Sequence, residues 1–273
     1  MDQWSSDFLM RSPMFEPLRR HGATLRSPRW PTLDELQRLA DAREPRLLTR
    51  SGVPVRFVAQ GGRPAAFEDK YEARIYLGGE VQIRESNWHD LLNALVWLTF
   101  PRAKAALNER HYLALRQRHA GGNPDRGPVG DTLTLFDEGG VIVVASDDEL
   151  LGQMRAFRWK ELFWRNRARV ESSMRCYLFG HALYEKALQP FVGITGRGIL
   201  FKVEPDFFSV PAAILLERLD AMLERRLLDA EALRATDDLV PLPILGVPGW
   251  CADNERGQYY DNTGYFRPGR AKG

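Results

Sequence analysis

The amino-acid sequence predicts an α+β fold: a single domain with a helical core, small antiparallel β-hairpins beside it and irregular N- and C-terminal arms. Three observations predict it. Helical periodicity dominates the middle of the chain, in apolar segments bounded by capping residues and prolines. Two pairs of short β-prone runs flank glycine-marked turns, at Gly78-Gly79 and at Asp137-Glu138-Gly139-Gly140. Prolines crowd both ends: Pro13, Pro17, Pro28 and Pro31 at one, and Pro241, Pro243, Pro248 and Pro268 among aromatic residues at the other. The expected division is an arm over residues 1–31, a body over 32–240 and a Pro/aromatic-rich strap over 241–273 packed on the body. At 273 residues the chain is long enough for one sizeable core.

In order, Thr32-Leu33-Asp34-Glu35 is a capping box that opens a helix ending before Pro45. Val53–Val58, Tyr71–Tyr76 and Glu80–Arg84 read as strands, the last two as a hairpin. Asn87 caps a helix that is apolar nearly all round to Phe100 and should be buried; Asp90 at its third position suits a return to the cap. A more polar helix follows over 102–119, with its lysine and arginines expected in solvent. A loop spans 120–130. Thr132–Phe136 and Val141–Ala145 form the second expected hairpin. Ser146-Asp147-Asp148-Glu149 reads as another capping box and starts a helix to about Arg165, and 170–188 reads as a further helix that places Cys176 mid-helix. A loop and strand cover Gly193–Val203, and an amphipathic helix covers 211–227.

Bulk charge narrows the function classes. Net charge is +2, from 38 basic and 36 acidic residues, which argues against nucleic-acid binding except through a local arginine patch. Six lysines stand against 32 arginines. Two cysteines exclude a disulfide framework or a Cys-based zinc site. No basic segment followed by an apolar run opens the chain, and no apolar run approaches membrane-span length. The expected location is the cytoplasm, with no membrane partner.

The residues that stand out are polar groups inside apolar segments. His181 and Glu185 lie four apart, so a helix puts them on one face, as two metal ligands or as a base and its orienting carboxylate. His89 sits in a first helical turn, where the dipole favours neutral imidazole. His89-Asp90 is the dipeptide of HD phosphohydrolases, but the only earlier histidine is His21 in the arm, so that match is rejected. Lys160 and Glu161 lie between Trp159 and Phe163-Trp164. Asp137-Glu138 reads first as a turn. GxSxG, Walker A and dinucleotide fingerprints are absent.

Several motifs in one order resemble a bacterial family called domain of unknown function 3025. They are Asn87-Trp88-His89-Asp90 with its helix to Phe100-Pro101-Arg102, Leu135-Phe136-Asp137-Glu138, Trp159 to Trp164, Phe179-Gly180-His181-Ala182-Leu183-Tyr184-Glu185-Lys186, and Pro241-Leu242-Pro243 through Pro248-Gly249-Trp250. The resemblance spans most of residues 50–268. It implies that these segments form one unit; it carries no catalytic residue.

The leading expectation is a metal-assisted or general acid–base hydrolase. His89, His181 and Glu185 are the expected ligands of a divalent metal or the base, Glu161 or Glu138 completes the shell, and Lys160 or Lys186 stabilises negative charge. The alternative is a non-catalytic module for a protein partner, its His, Glu and Lys residues being structural ion pairs. RNA binding through an arginine patch is a third reading.

Overall fold

A computed structural model describes residues 3–122 and 127–269. Its centre is helix α3 (Trp88–Thr99), buried on every side apart from His89, as its sequence predicts. Asn87 caps it by accepting from the Asp90 N–H at 3.0 Å. The Asp90 carboxylate does not return to the cap. It accepts instead from the Arg84 backbone N–H (2.7 Å) and guanidinium (2.9 Å), fastening the preceding strand to the helix start.

Before α3 come α1 (Leu33–Asp41), β1 (Arg56–Ala59), α2 (Tyr71–Gly78) and β2 (Glu80–Ile83). The Thr32–Glu35 capping box is formed on both sides. The first expected hairpin is not: Tyr71–Tyr76 is helical, and β2 pairs in parallel with β1. Gly78-Gly79 is a helix stop. Gly79 is left-handed (φ 71°) and its N–H donates to Ile75 O at 2.8 Å, while a Cβ there would fall 2.1 Å from Pro54 O.

After α3, Pro101 starts α4 (Pro101–Ala120) directly. Its first N–H groups, of Arg102 and Ala103, donate to Asp220 on α9 (Ala212–Leu228), a cap supplied from a distant helix. Residues 123–126 of the expected loop lie outside the described residues, and 127–130 already belong to α5 (Gly127–Gly139). Thr132–Phe136 is therefore helical, and the second expected hairpin is replaced by a helix running straight into β3 (Gly140–Ala145).

The expected helices over 147–165 and 170–188 are each divided. The first yields α6 (Asp148–Arg155), capped by Asp147 alone, then a break at Phe157 (φ 57°) and a π-helical turn over Glu161–Arg165. The second yields the end of α7 (Arg167–Ser173), strand β4 (Met174–Leu178) and α8 (His181–Ala187), which puts Cys176 on a strand. β5 (Thr195–Lys202) and β6 (Val240–Pro243) complete a mixed sheet ordered β4-β3-β5-β6, parallel only between β3 and β5. β3 is fully buried at the sheet's centre; β6 lies at an edge, where Pro241 and Pro243 are tolerated. The chain is thus α+β, a single domain whose sheets are a parallel pair and a four-stranded mixed sheet.

Near the N-terminus Pro13–His21 is 3-10 helix, and near the C-terminus 3-10 turns over Ala252–Glu255 and Gly257–Asp261 accompany buried Tyr260, Tyr265 and Phe266. Among the described residues no helix is long and apolar enough to cross a membrane.

Candidate functional site

Helices α3 and α8 pack on each other, and His89 and His181 stand in their first turns. A glycine contact brings a third element in. The N–H groups of Phe179 and Gly180 both donate to Gly140 O at 2.9 Å, and a Cβ on Gly180 would fall 2.4 Å from Gly140 N and 2.5 Å from Glu138 O. The chain entering α8 therefore lies directly on the junction of α5 and β3. That contact sets His181 beside Asp137 and Glu138.

Three atoms converge. His181 Nε2 is 3.0 Å from His89 Nε2, Glu138 Oε2 is 3.6 Å from His181 Nε2, and it is 3.9 Å from His89 Nε2. A triangle with these sides has a circumscribed radius of about 2.1 Å, the length of a zinc bond to imidazole nitrogen or carboxylate oxygen. These three residues form a group able to hold a metal ion. Glu185 Oε2 lies at the other ring nitrogen, 2.9 Å from His89 Nδ1, pointing away from that triangle.

Behind the triangle is a buried polar network. Lys104 Nζ, 4% exposed, donates to Asp137 Oδ1 at 2.5 Å and to Asn93 Oδ1 at 2.9 Å. Asn93 Nδ2 in turn donates to the Tyr71 hydroxyl at 2.8 Å. Asp137 Oδ2 is 4.0 Å from His181 Nδ1, which is enclosed and makes no well-formed hydrogen bond among the described residues.

The electrostatics follow from burial. Enclosure drives the His181 imidazole down to about 3, against the pull of Asp137, so it is neutral near pH 7. Burial opposes ionisation of Asp137, yet Lys104 with His181 and His111 holds its carboxyl below the ordinary range. Burial raises Glu138 above the ordinary range, with Asp137 adding to the rise.

Proton placement at the two rings is then constrained. The Glu185 carboxylate only accepts, so His89 Nδ1 carries a hydrogen and neutral His89 presents a bare Nε2. A neutral His181 with its proton on Nδ1, facing Asp137, likewise presents a bare Nε2. In that tautomer two lone pairs face each other beside a carboxylate, an arrangement that a cation satisfies; in the other, His181 Nε2–H donates to His89 Nε2 at 3.0 Å.

This triangle lines a cavity of about 600 Å³ whose wall includes Lys70, Tyr71, Arg84, Asn93 and His111. The predicted residues His89, His181 and Glu185 are brought together, and Glu138 joins them. Lys160 and Glu161 are not. The break at Phe157 turns their segment toward the strap, where Lys160 Nζ pairs with Asp261 Oδ1 at 2.6 Å and Glu161 pairs with Arg165. Lys186 is exposed on α8 and does not line the cavity.

Lys104, Asn93 and His111 escaped sequence reading, and Lys104 corrects the expectation of solvated cations on α4. A signal was present. Lys104, Asn108 and His111 fall at i, i+4 and i+7, one stripe of α4, and all three are buried. Such a stripe reads as a solvated face when the other side of the helix is apolar; here Lys104 and Asn108 are enclosed behind the cavity and His111 lines it.

Comparison with curated proteins and with solved structures finds no match. The family model described as "Protein of unknown function (DUF3025)" matches residues 55–270, a span that holds every residue of the triangle and of the network behind it. The chain belongs to this family.

Proposed function

We propose that the protein is a divalent-metal-assisted hydrolase, in which His89, His181 and Glu138 hold a zinc-like ion in the cavity. The observation that carries this reading is the triangle of Nε2, Nε2 and Oε2 atoms, whose common point lies at bonding distance from all three. Two imidazoles and one carboxylate are a ligand set of catalytic zinc, which keeps a position open for water. Such an ion lowers the pKa of its bound water to about 7 and polarises a substrate carbonyl or phosphoryl oxygen.

The chain's own residues divide the remaining work. Glu185 orients the His89 ring through Nδ1 rather than binding the ion, because the two ring nitrogens point to opposite sides. Asp137, kept ionised by Lys104, faces His181 Nδ1 and favours the tautomer with a free Nε2. Lys160 and Glu161 have no part in this reading.

The test is elemental analysis of the purified full chain after equilibration with zinc and removal of excess. About one zinc per chain is expected for the parent, and none for His89→Ala, His181→Ala or Glu138→Ala, with folding checked by circular dichroism. A parent that retains no metal, or three folded variants that all retain it, would falsify the proposal.

A further inference from the structure

One hydrogen at the cavity wall has a direction that the network behind the centre dictates. Lys104 Nζ can only donate, so the oxygen of the Asn93 amide faces it, at 2.9 Å. The Asn93 Nδ2 group is then turned toward Tyr71 and donates to its hydroxyl oxygen at 2.8 Å. The hydroxyl hydrogen of Tyr71 has to point elsewhere, and it meets no acceptor among the described residues. Tyr71 and Asn93 both line the cavity, so the bond between them lies in its wall. A polar hydrogen left over in the wall of a cavity is placed to meet what enters.

Helix α3 places that hydroxyl relative to the centre. His89 and Asn93 are four residues apart on one face of the helix, with about 5–6 Å between their Cβ atoms, and both line the cavity. The Tyr71 hydroxyl is therefore tied to the residue one helical turn along from His89. Lys104 joins the two ends from behind, bonding Asn93 and also Asp137, which precedes Glu138 and faces His181. Burial raises the Tyr71 hydroxyl well above its ordinary range, with Glu72 and Asp137 adding to the rise, so it keeps its hydrogen and acts as a donor.

The charges of the wall favour an uncharged ligand. Arg84 is held by Asp90, and Asp137 by Lys104 behind the wall. What remains is Lys70 against Glu72 and Glu138, with Glu185 behind His89, an excess of negative charge that repels anions. A divalent ion at the centre balances that excess and leaves no net charge for a substrate to answer. Gln60 and Gln82 add uncharged polar groups to the same wall.

We infer that Tyr71 is a substrate-binding residue, whose hydroxyl, aimed by Asn93 and Lys104, donates to a carbonyl oxygen of an uncharged substrate in the cavity of the His89–His181–Glu138 centre. The substrate class is a small uncharged amide or ester with a carbonyl oxygen a few bonds from the one that is cleaved. A volume of about 600 Å³ accommodates one such molecule. Asn93 and Lys104 are positioning residues, which fix the direction of the donor without touching the substrate. That the substrate reacts at this centre rests on the metal reading above; the direction of the Tyr71 hydrogen does not.

The test uses the full chain, metal-free and zinc-loaded, titrated with N,N-dimethylacetamide, an uncharged acceptor with no N–H, and with acetate. NMR of the backbone amides and of the Asn93 side-chain amide follows binding. N,N-dimethylacetamide is expected to bind both forms and to shift the signals of Tyr71 and Asn93, whereas acetate should leave the metal-free chain unchanged. Tyr71→Phe should weaken binding of the amide by about fivefold, the loss of one neutral hydrogen bond, and should keep zinc affinity within about twofold of the parent. Asn93→Asp is the second variant. Its carboxylate still accepts from Lys104 but also accepts the Tyr71 hydrogen, so it should lose as much as Tyr71→Phe although the hydroxyl is present. A structural role for Tyr71 would not respond to that reversal. The proposal is overturned if N,N-dimethylacetamide shifts neither residue, if acetate binds the metal-free chain equally well, or if either folded variant binds the amide as the parent does. A chain that binds no zinc yet shows these effects removes the metal reading and leaves Tyr71 as a donor to an uncharged ligand.

Discussion

His89 and His181, 92 residues apart in the chain, meet Nε2 to Nε2 at 3.0 Å, but only one of them is anchored from behind by a short hydrogen bond. His89 Nδ1 donates to Glu185 at 2.9 Å, while His181 Nδ1 has Asp137 at 4.0 Å. The asymmetry separates ligand from orienting group. Glu185→Leu should weaken zinc affinity by about 10–100-fold without abolishing binding, the usual cost of losing an outer-shell carboxylate. Glu185→Gln, whose amide oxygen can still accept from Nδ1, should lose less. Competition against a chromophoric chelator measures both. Loss as complete as that of His181→Ala would make Glu185 a ligand.

Lys104 and Asp137 are a buried pair, their side chains 4% and 13% exposed. Removing one partner strands the other's charge in the interior. Lys104→Met should therefore cost about 3–5 kcal/mol, and Asp137→Leu a similar amount. Replacing both removes the stranded charge, so Lys104→Met with Asp137→Leu should cost much less than the sum of the single changes. Urea unfolding of the four proteins gives the coupling; strict additivity would mean that the pair is solvated and does not brace His181.

Where the sequence was legible, the determining forces were local. Thr32, Asn87 and Pro101 mark helix ends through the chain's own hydrogen bonds, and the apolar run from Leu91 to Phe100 can only be buried. It misled where one local signal serves two structures. Gly78-Gly79 suits a hairpin turn or a helix stop, and the choice was made by Pro54, whose carbonyl leaves no room for a Cβ. Asp137-Glu138-Gly139-Gly140 was equally two-sided, and there the contact of Gly180 with Gly140 N and Glu138 O decided. The same contact explains the candidate site. His89, His181 and Glu185 could be named from polar residues in apolar segments. Glu138 could be named only as an alternative to Glu161; what sets it beside the two histidines is the contact between Gly180 and Gly140, to which a single sequence gives no clue.

That glycine contact is itself testable. A methyl on Gly180 would sit 2.4 Å from Gly140 N and 2.5 Å from Glu138 O, both backbone atoms that cannot move aside alone. Gly180→Ala should lower stability by roughly 2 kcal/mol or more and weaken zinc binding as α8 is pushed off α5. Gly152 provides the control. It lies inside α6 with nothing within 4 Å of its Cβ position, so Gly152→Ala should stabilise by about 0.5–1 kcal/mol. Thermal and urea unfolding check both; a stable Gly180→Ala chain with intact zinc affinity would separate the site from this contact.

Outside the site, two buried groups contribute to the pH dependence of stability, with opposite signs. Thr99 Oγ1 donates to Leu95 O at 2.7 Å and so accepts from His21 Nε2–H at 3.0 Å, which ties the N-terminal arm to α3. Burial lowers His21 from 6.5 to about 3, with Arg20 and Arg43 adding to the fall. Between those values the unfolded chain takes up a proton that the folded chain refuses. The His21 contribution is therefore whole above pH 6.5 and lost as pH falls toward 3. Asp220, enclosed against the start of α4, is raised by burial from 3.8 to about 6. In that window the folded chain holds the extra proton, so its contribution is whole below 3.8 and lost as pH rises through 6. The two oppose each other over the overlap, and His21 prevails because its shift is larger. His21→Gln keeps a donor for Thr99 without a titrating ring and should flatten the decline in stability between about pH 6.5 and 4, a difference of several kcal/mol in order of magnitude. Asp220→Asn should steepen the same decline. Urea unfolding with chelator present, at several pH values across this range, reads both slopes; a His21→Gln chain as acid-sensitive as the parent would show that the arm's histidine is not buried neutral.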